Sequence, residues 1–114
     1  MAIEYQDIDE QLRRIKITGR LDIPGTAEIE LKLTSLTATS SRRVIVDLTG
    51  VDFLASIGIR ALVTNAKALK GRGGRMALFV GDNAAVAKTL TVTGIDMIIP
   101  LFTSEAEAEK AILA

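Results

Sequence analysis

The chain has 114 residues, of which 48% are hydrophobic and 25% are charged, and its 14 Lys and Arg residues balance 14 Asp and Glu residues. These totals are typical of one globular domain, and the neutral balance leaves no basic field to hold nucleic acid or anionic lipid. Because the sequence contains no His and no Cys, it excludes disulfides, zinc sites and Ser-His or Cys-His catalytic pairs.

The N-terminus has no targeting pattern. Residues Met1 to Asp7 lack the charged start and the apolar core of a signal peptide. No apolar run approaches the roughly 20 residues of a membrane-spanning helix. We therefore expect a cytoplasmic protein that forms a single domain over residues 1–114.

The first third of the chain predicts two strands and a helix. Ile3 to Ile8 and Leu12 to Leu21 read as strands, and the short link between them predicts an antiparallel pair. Pro24 and Gly25 then break the strand pattern. Ala27 to Leu36 fits both a strand and a helix period, but its Ala, Glu, Leu and Lys content favours a helix that frays around Ala38 to Ser41.

The middle of the chain changes from a strand period to a helix period. Val44 to Leu48 is a nearly unbroken apolar run, which is typical of a strand covered on both faces. A helix is predicted from near Ile57 to about Lys70, because apolar residues follow at helical spacing, at Ile59, Leu62, Val63 and Ala66. Ser56 directly precedes this helix, so a purely structural N-cap is one interpretation of Ser56.

The rest of the chain alternates strands with helices. It predicts a buried strand at Met76 to Val80, a helix at Ala84 to Val92 after the candidate caps Asp82 and Asn83, an edge strand at Met97 to Leu101, and a last helix after the capping box Ser104 to Glu107. The predicted order is ββαβαβαβα. This is an α/β fold in which a mixed sheet is packed with about four helices and the strand-helix-strand units are parallel.

One segment resembles a known family signature. Asp47-Leu48-Thr49-Gly50-Val51-Asp52-Phe53-Leu54-Ala55-Ser56-Ile57-Gly58 is similar to the signature of the STAS family, a domain shared by sulphate transporters and anti-sigma factor antagonists. Gly19-Arg20-Leu21-Asp22 and Thr93-Gly94-Ile95-Asp96 extend the resemblance over nearly the whole chain. The acceptor Ser56 and Gly58 are retained, whereas Ala55 replaces the Asp of the commoner form.

The resemblance implies an anti-sigma factor antagonist with a STAS-like fold. Such a protein is a binding module and not an enzyme, and we expect no cofactor and no metal. Its unphosphorylated form sequesters a serine kinase that is also an anti-sigma factor and has an ATPase fold related to histidine kinases. A metal-dependent serine phosphatase resets Ser56. This partner switching regulates sigma-dependent transcription without direct contact with nucleic acid, and the oligomeric state, including a weak dimer, stays open.

The resemblance also implies a partner surface around the phosphoacceptor, formed by Asp22, Ile23, Leu54, Ala55, Ser56, Ile57, Gly58 and Arg60. The exposed apolar contacts are expected at Ile23, Leu54 and Ile57. Asp22 has a structural alternative as a cap of the following turn or helix, and Arg60 has one as a solvated side chain.

The sequence gives a separate expectation for each of four other residues. Phe53 and Phe79 stand in apolar runs and are expected in the core. Asp47 is expected at the C-terminal end of its strand, hydrogen-bonded and structural. Thr49 is the next candidate acceptor after Ser56.

Two other function classes stay open. A non-phosphorylated STAS subunit of a transporter or scaffold complex is the alternative, because Ala55 changes the surroundings of the acceptor. A small enzyme or nucleotide binder that uses carboxylates is disfavoured, since the sequence has no His, no phosphate-binding loop and no clustered acidic pairs.

Overall fold

Five strands form one sheet in the computed structural model, which describes residues 2–37 and 41–114. The strands are β1 (Ala2–Asp7), β2 (Leu12–Leu21), β3 (Arg43–Leu54), β4 (Arg75–Phe79) and β5 (Leu101–Phe102). The α-helices are α1 (Ile23–Thr37), α2 (Ser56–Gly71), α3 (Ala84–Val92) and α4 (Glu105–Leu113), and a short 3-10 helix spans Ile95–Met97. The predicted order ββαβαβαβα and the mixed α/β sheet are confirmed.

The strands follow one another across the sheet in sequence order. β1 is antiparallel to β2, whereas β2, β3, β4 and β5 are mutually parallel. Because β2 and β3 are parallel, they both end at the same edge of the sheet, and a helix follows each of them. The helices that follow them, α1 and α2, therefore begin side by side at that edge.

Apolar side chains are buried on both faces of the sheet. On one face the helices α1, α2 and α3 cover the larger core, which includes Ile15, Leu33, Val46, Leu62 and Leu78. On the other face α4 covers a smaller core around Ile45, Ala77 and Ile112. Val44 to Leu48 is buried throughout, so the prediction of a strand covered on both faces is confirmed.

Helix α1 begins earlier than predicted. It starts at Ile23 and not at Ala27. Pro24 and Gly25, which the sequence suggests as a break, lie in its first turn, where backbone N–H groups have no intrahelical acceptor and Pro is tolerated. Of the residues at which this helix is predicted to fray, 38–40 lie outside the described part of the chain.

The predicted strand Met97–Leu101 is wrong. β5 has only Leu101 and Phe102, and Met97 ends the 3-10 helix. Ile95 and Ile99 are both buried, and the Ile99 N–H donates to the Ile95 carbonyl oxygen at 2.8 Å. Two apolar residues that are buried four positions apart follow a helical turn, not strand alternation. The edge position of β5 is confirmed.

Candidate functional site

Two helix N-termini meet at one edge of the sheet. Leu21 and Leu54 are partners in register at the ends of β2 and β3. The Ala55 N–H donates to the Leu21 carbonyl oxygen at 3.0 Å, which ties the start of α2 to the end of β2. A helix N-terminus has unpaired N–H groups and a partial positive charge. This edge therefore suits an added negative charge.

Ser56 is exposed and is the first residue of α2. The prediction that Ser56 lies at the N-terminus of this helix is confirmed, but the interpretation of Ser56 as the N-cap is wrong by one residue. The N-cap is Ala55, which is extended (φ −85°, ψ 167°) and whose carbonyl oxygen accepts the Ile59 N–H at 3.1 Å. Ala is a poor cap chemically, and the bond from Ala55 to Leu21 sets the helix start instead.

The hydroxyl of Ser56 is consequently not used as a cap. It forms no hydrogen bond with any residue in 2–37 or 41–114. Thr49 differs, because its hydroxyl donates to Asp47 Oδ1 at 2.6 Å. Asp47 also accepts the Thr49 N–H at 2.9 Å, which confirms Asp47 as a hydrogen-bonded structural residue. The expected position of Asp47 at the end of its strand is wrong, because β3 continues past it to Leu54.

Gly58 allows α2 to begin this close to the sheet. It is buried, and a Cβ there would lie 2.8 Å from Leu21 Cβ and 3.0 Å from Leu54 Cδ1. Leu54 is only 6% exposed and packs in the core, so the prediction of Leu54 as an exposed contact is wrong. Its side chain points under α2 because Leu21 and Leu54 end their strands on the helix-covered face. Leu21 and Leu54 are therefore the buried residues against which the first turn of α2 packs.

Asp22 caps α1. Its Oδ1 accepts the Gly25 N–H at 2.9 Å, so the structural alternative for Asp22 is confirmed. Its Oδ2 accepts a longer bond from Arg20 Nε at 3.3 Å. The Gly25 N–H and then Arg20 lower the pKa of Asp22. The carboxylate is therefore held in its charged form, and it remains partly exposed at the same edge.

Phe53 is a surface residue that the sequence places wrongly in the core. It is 43% exposed, and the Arg20 guanidinium lies 4.6 Å from its ring centroid. Two shifts in the pairing of β2 with β3, one on each side of the Thr18 and Gly19 pairs, each add one residue to β3. Phe53 therefore returns to the face of Ile45, opposite the larger core. Phe79 is only partly buried and packs against the smaller core.

The remaining predicted site residues are at least partly exposed. Ile23 is 71% exposed, Ile57 and Ala55 are half-buried, and Arg60 is exposed. Arg60 makes no ion pair with a described residue, which agrees with a solvated side chain. Ile23, Phe53 and Ile57 thus give this edge an apolar component beside its charges.

Asn83 fixes the irregular part of β3, a role that the sequence indicates only as a candidate cap. Its Oδ1 accepts the Val86 N–H at 3.4 Å and caps α3. Its Nδ2 donates to the carbonyl oxygens of Leu48 at 3.0 Å and Val51 at 2.9 Å. One side chain therefore holds the strand shortly before Ser56.

A metal site and a membrane-spanning helix each place requirements on the described residues. Among residues 2–37 and 41–114, no group of three or more acidic residues is placed to hold a metal ion. In the same part of the chain, no helix combines the length and the apolar character needed to cross a membrane.

Comparison with known proteins identifies the family. A sequence model of the STAS domain matches residues 4–108. An anti-sigma factor antagonist (STAS) domain protein from Planctomyces limnophilus is 28% identical, with 96% of each chain covered and a TM-score of 0.80. None of the curated proteins matches the sequence significantly.

Two other proteins of known structure share the fold at lower identity. The anti-sigma factor antagonist SpoIIAA of Bacillus has been solved in unphosphorylated and phosphorylated forms. Its unphosphorylated form is 18% identical, with 98% of this chain and 96% of that chain covered and a TM-score of 0.77. The murine Slc26a9 anion transporter is 19% identical over 95% of this chain but only 18% of its own, with a TM-score of 0.76. Both show the fold alone.

Proposed function

Because the chain belongs to the STAS domain family, we propose that it is an anti-sigma factor antagonist, a binding module whose affinity is switched by phosphorylation of Ser56. The observation that favours this function is the state of the Ser56 hydroxyl. It is exposed, it makes no hydrogen bond with a described residue, and it stands where two helix N-termini meet. A hydroxyl with no structural task at a site that suits negative charge is what a phosphoacceptor requires.

A phosphate at Ser56 would change the surface more than the fold. It adds roughly −1.5 to −2 charges at pH 7, which the N-terminus of α2 tolerates. A partner docked on the apolar residues Ile23 and Ile57 would have to desolvate that charge. Added charge in a docked surface weakens binding by on the order of 1–3 kcal/mol or more. The unphosphorylated chain is therefore the form that binds.

The proposed partner is a serine kinase that is also an anti-sigma factor and has an ATPase fold related to histidine kinases. The module sequesters this kinase when Ser56 is free and releases it after phosphorylation. A metal-dependent serine phosphatase restores the binding form. The module itself performs no chemistry, acts in the cytoplasm, and controls sigma-dependent transcription through its partner. The partner surface comprises Asp22, Ile23, Ala55, Ser56, Ile57 and Arg60, with Leu54 and Gly58 beneath it.

Intact-mass measurement after incubation with ATP and serine kinases of the anti-sigma factor type tests this function. We expect a gain of one phosphate that is lost in Ser56→Ala. Ser104→Ala is the matched control, because Ser104 is another Ser at a helix start, where it caps α4 by accepting the Glu107 N–H at 3.3 Å. Phosphate uptake by Ser56→Ala would refute the assignment to Ser56.

A non-phosphorylated subunit of a transporter or scaffold complex is the second candidate. The fold shared with the Slc26a9 transporter and the replacement of the usual Asp by Ala55 favour it. This candidate predicts no phosphorylation by any such kinase, and it predicts that Ser56→Asp binds its partner as tightly as the wild type. The switch predicts weaker binding by Ser56→Asp at unchanged stability.

A further inference from the structure

We infer that Arg20 and Phe53 form a preorganised docking pair for an acidic side chain of the partner, presented next to an apolar one. This inference rests on the proposed binding role of the same edge. It adds the chemistry of the partner surface: a carboxylate that pairs with Arg20 and an aliphatic group that covers Phe53.

The two residues lie on the face of the sheet that α1, α2 and α3 do not cover. Arg20 and Phe53 are partners in register, one position before the buried pair Leu21 and Leu54. Because successive strand residues point to opposite faces, Arg20 and Phe53 point away from the larger core. The other helix, α4, packs farther back along the strands, over Leu12, Ile45 and Ala77. The Arg20 and Phe53 pair consequently stays exposed.

The guanidinium of Arg20 is held in place but is not saturated. It stacks over the Phe53 ring at 4.6 Å, and its Nε donates to Asp22 Oδ2 at 3.3 Å. Its two terminal nitrogens donate to no atom within residues 2–37 and 41–114, and its side chain is 61% exposed. A planar guanidinium with both terminal nitrogens free matches a carboxylate in a two-bond arrangement, at a reduced entropy cost.

The other cations on this face of β2 already have acidic neighbours within the protein. Arg14 Nη2 is 2.8 Å from Glu105 Oε1 of α4. Lys16 lies between Glu4 and Asp47 in the strand register. Among the acidic side chains that the structure describes, Arg20 contacts only Asp22, through one long bond that uses Nε. Among these three cations, Arg20 has the most capacity left for a carboxylate from outside.

Phe53, the apolar member of the pair, shares this edge of the sheet with a second exposed apolar residue, Ile23. Phe53 is 43% exposed, and Ile23, which follows Asp22, is 71% exposed. Exposed aromatic and Arg residues side by side are the types that most often dominate binding energy at interfaces. A partner carboxylate bound at Arg20 also explains why phosphorylation would weaken binding, because a phosphate on Ser56 at the same edge would repel that carboxylate.

An NMR titration of the ¹⁵N-labelled full chain with two capped peptides tests the pair directly, whichever protein the partner is. The probes are acetyl-Leu-Glu-Leu-amide and its uncharged match acetyl-Leu-Gln-Leu-amide. We expect the Glu peptide to shift the Arg20 Nε–Hε signal and the amides of residues 21–23 and 53–57. The Gln peptide should bind about fivefold more weakly.

Arg20→Lys keeps the charge but loses the planar fork, and it should also weaken the Glu peptide by about fivefold. Arg72→Lys is the matched control, since Arg72 is an exposed Arg that follows the C-terminal end of α2, and it should change nothing. Equal binding of the two peptides, indifference to Arg20→Lys, shifts elsewhere on the surface, or no response at millimolar peptide would each overturn the inference.

The outcomes also separate this inference from the proposed function. A chain that responds to the Glu peptide through Arg20 but is never phosphorylated at Ser56 keeps the docking pair and refutes the switch. A chain that is phosphorylated at Ser56 but ignores the peptide keeps the switch and refutes the docking pair.

Discussion

Ala55→Asp tests where helix α2 is capped. Ala55 already has the extended backbone of an N-cap, and its carbonyl oxygen already accepts the Ile59 N–H at 3.1 Å. Its methyl group, however, offers no acceptor to the free N–H groups of the first turn. An Asp side chain would supply this acceptor without any backbone movement. Replacing Ala by Asp at an N-cap raises the free energy of unfolding by about 1 kcal/mol.

The expected shift is large enough to measure. With an unfolding entropy near 2 cal/mol/K per residue, 1 kcal/mol corresponds to about 4 °C in Tm for a chain of 114 residues. Thermal melting should therefore show Ala55→Asp about 4 °C above the wild type. Ala55→Asn is the control that adds a cap without a charge. Ser56→Ala should leave Tm unchanged, because the Ser56 hydroxyl forms no hydrogen bond with a described residue.

The opposite pattern would refute this reasoning. If Ser56→Ala lowered Tm by several degrees and Ala55→Asp left it unchanged, Ser56 would be the cap and its hydroxyl would be occupied. Phosphorylation adds a second comparison. A phosphate on Ser56 of the wild type should raise stability by about 0.3–1 kcal/mol, because it faces an uncapped helix N-terminus. In Ala55→Asp that gain should vanish, since a carboxylate already holds the same N–H groups and repels the phosphate.

Three further changes test the supports of the edge. Gly58→Ala forces a Cβ to within 2.8 Å of Leu21 Cβ and should lower the free energy of unfolding by about 1–3 kcal/mol in urea, whereas Gly71→Ala, at an open position of the same helix, should not lower it. Asn83→Asp keeps the cap acceptor but loses the bonds that Nδ2 donates to the Leu48 and Val51 carbonyl oxygens, and it should lower the free energy of unfolding by about 1–3 kcal/mol. Equal stability would show that these bonds do not stabilise the fold. The pKa of Asp22 is lowered in the folded state, mainly by a backbone N–H, so its stabilisation is present above about pH 4 and is lost as the pH falls through that lowered pKa. The free energy of unfolding, measured between about pH 2 and pH 6, should accordingly fall less with decreasing pH in Asp22→Asn than in the wild type. An equal fall in both proteins would contradict this.

The order of elements could be predicted because each one has its own local signal. Val44 to Leu48 is too apolar and β-branched for a half-exposed strand, and it is buried on both faces. Ser104 and Glu107 mark a helix start by composition, and Ser104 does cap α4. These signals depend only on neighbours in the chain.

The details of the site depend on contacts between distant segments, which the sequence does not reveal. The cap lies at Ala55 and not at Ser56 because the Ala55 N–H bonds to Leu21, a residue of another strand. Phe53 is exposed because α4, the helix on its face of the sheet, packs farther back along the strands, over Leu12, Ile45 and Ala77. An aromatic side chain in an apolar run is expected in the core, and the sequence does not show that α4 leaves this end of β3 uncovered.

The packing of this edge indicates how a charge at Ser56 would act. A Cβ on Gly25 would clash with the Arg20 carbonyl oxygen, and a Cβ on Gly58 would crowd Leu21, so both helices begin as close to β2 as their backbones allow. The first turns are therefore positioned by backbone contacts that the Ser56 side chain does not make. A phosphate on Ser56 removes none of those contacts and gives neither helix a reason to move. A ligand or modification shifts a conformation only by its differential interaction with two states. The switch should thus work by changing the charge of a fixed surface, and the backbone amide shifts caused by phosphorylation should stay confined to the residues around Ser56. Shifts that spread through α2 to Gly71 would instead require a second conformation of the helix.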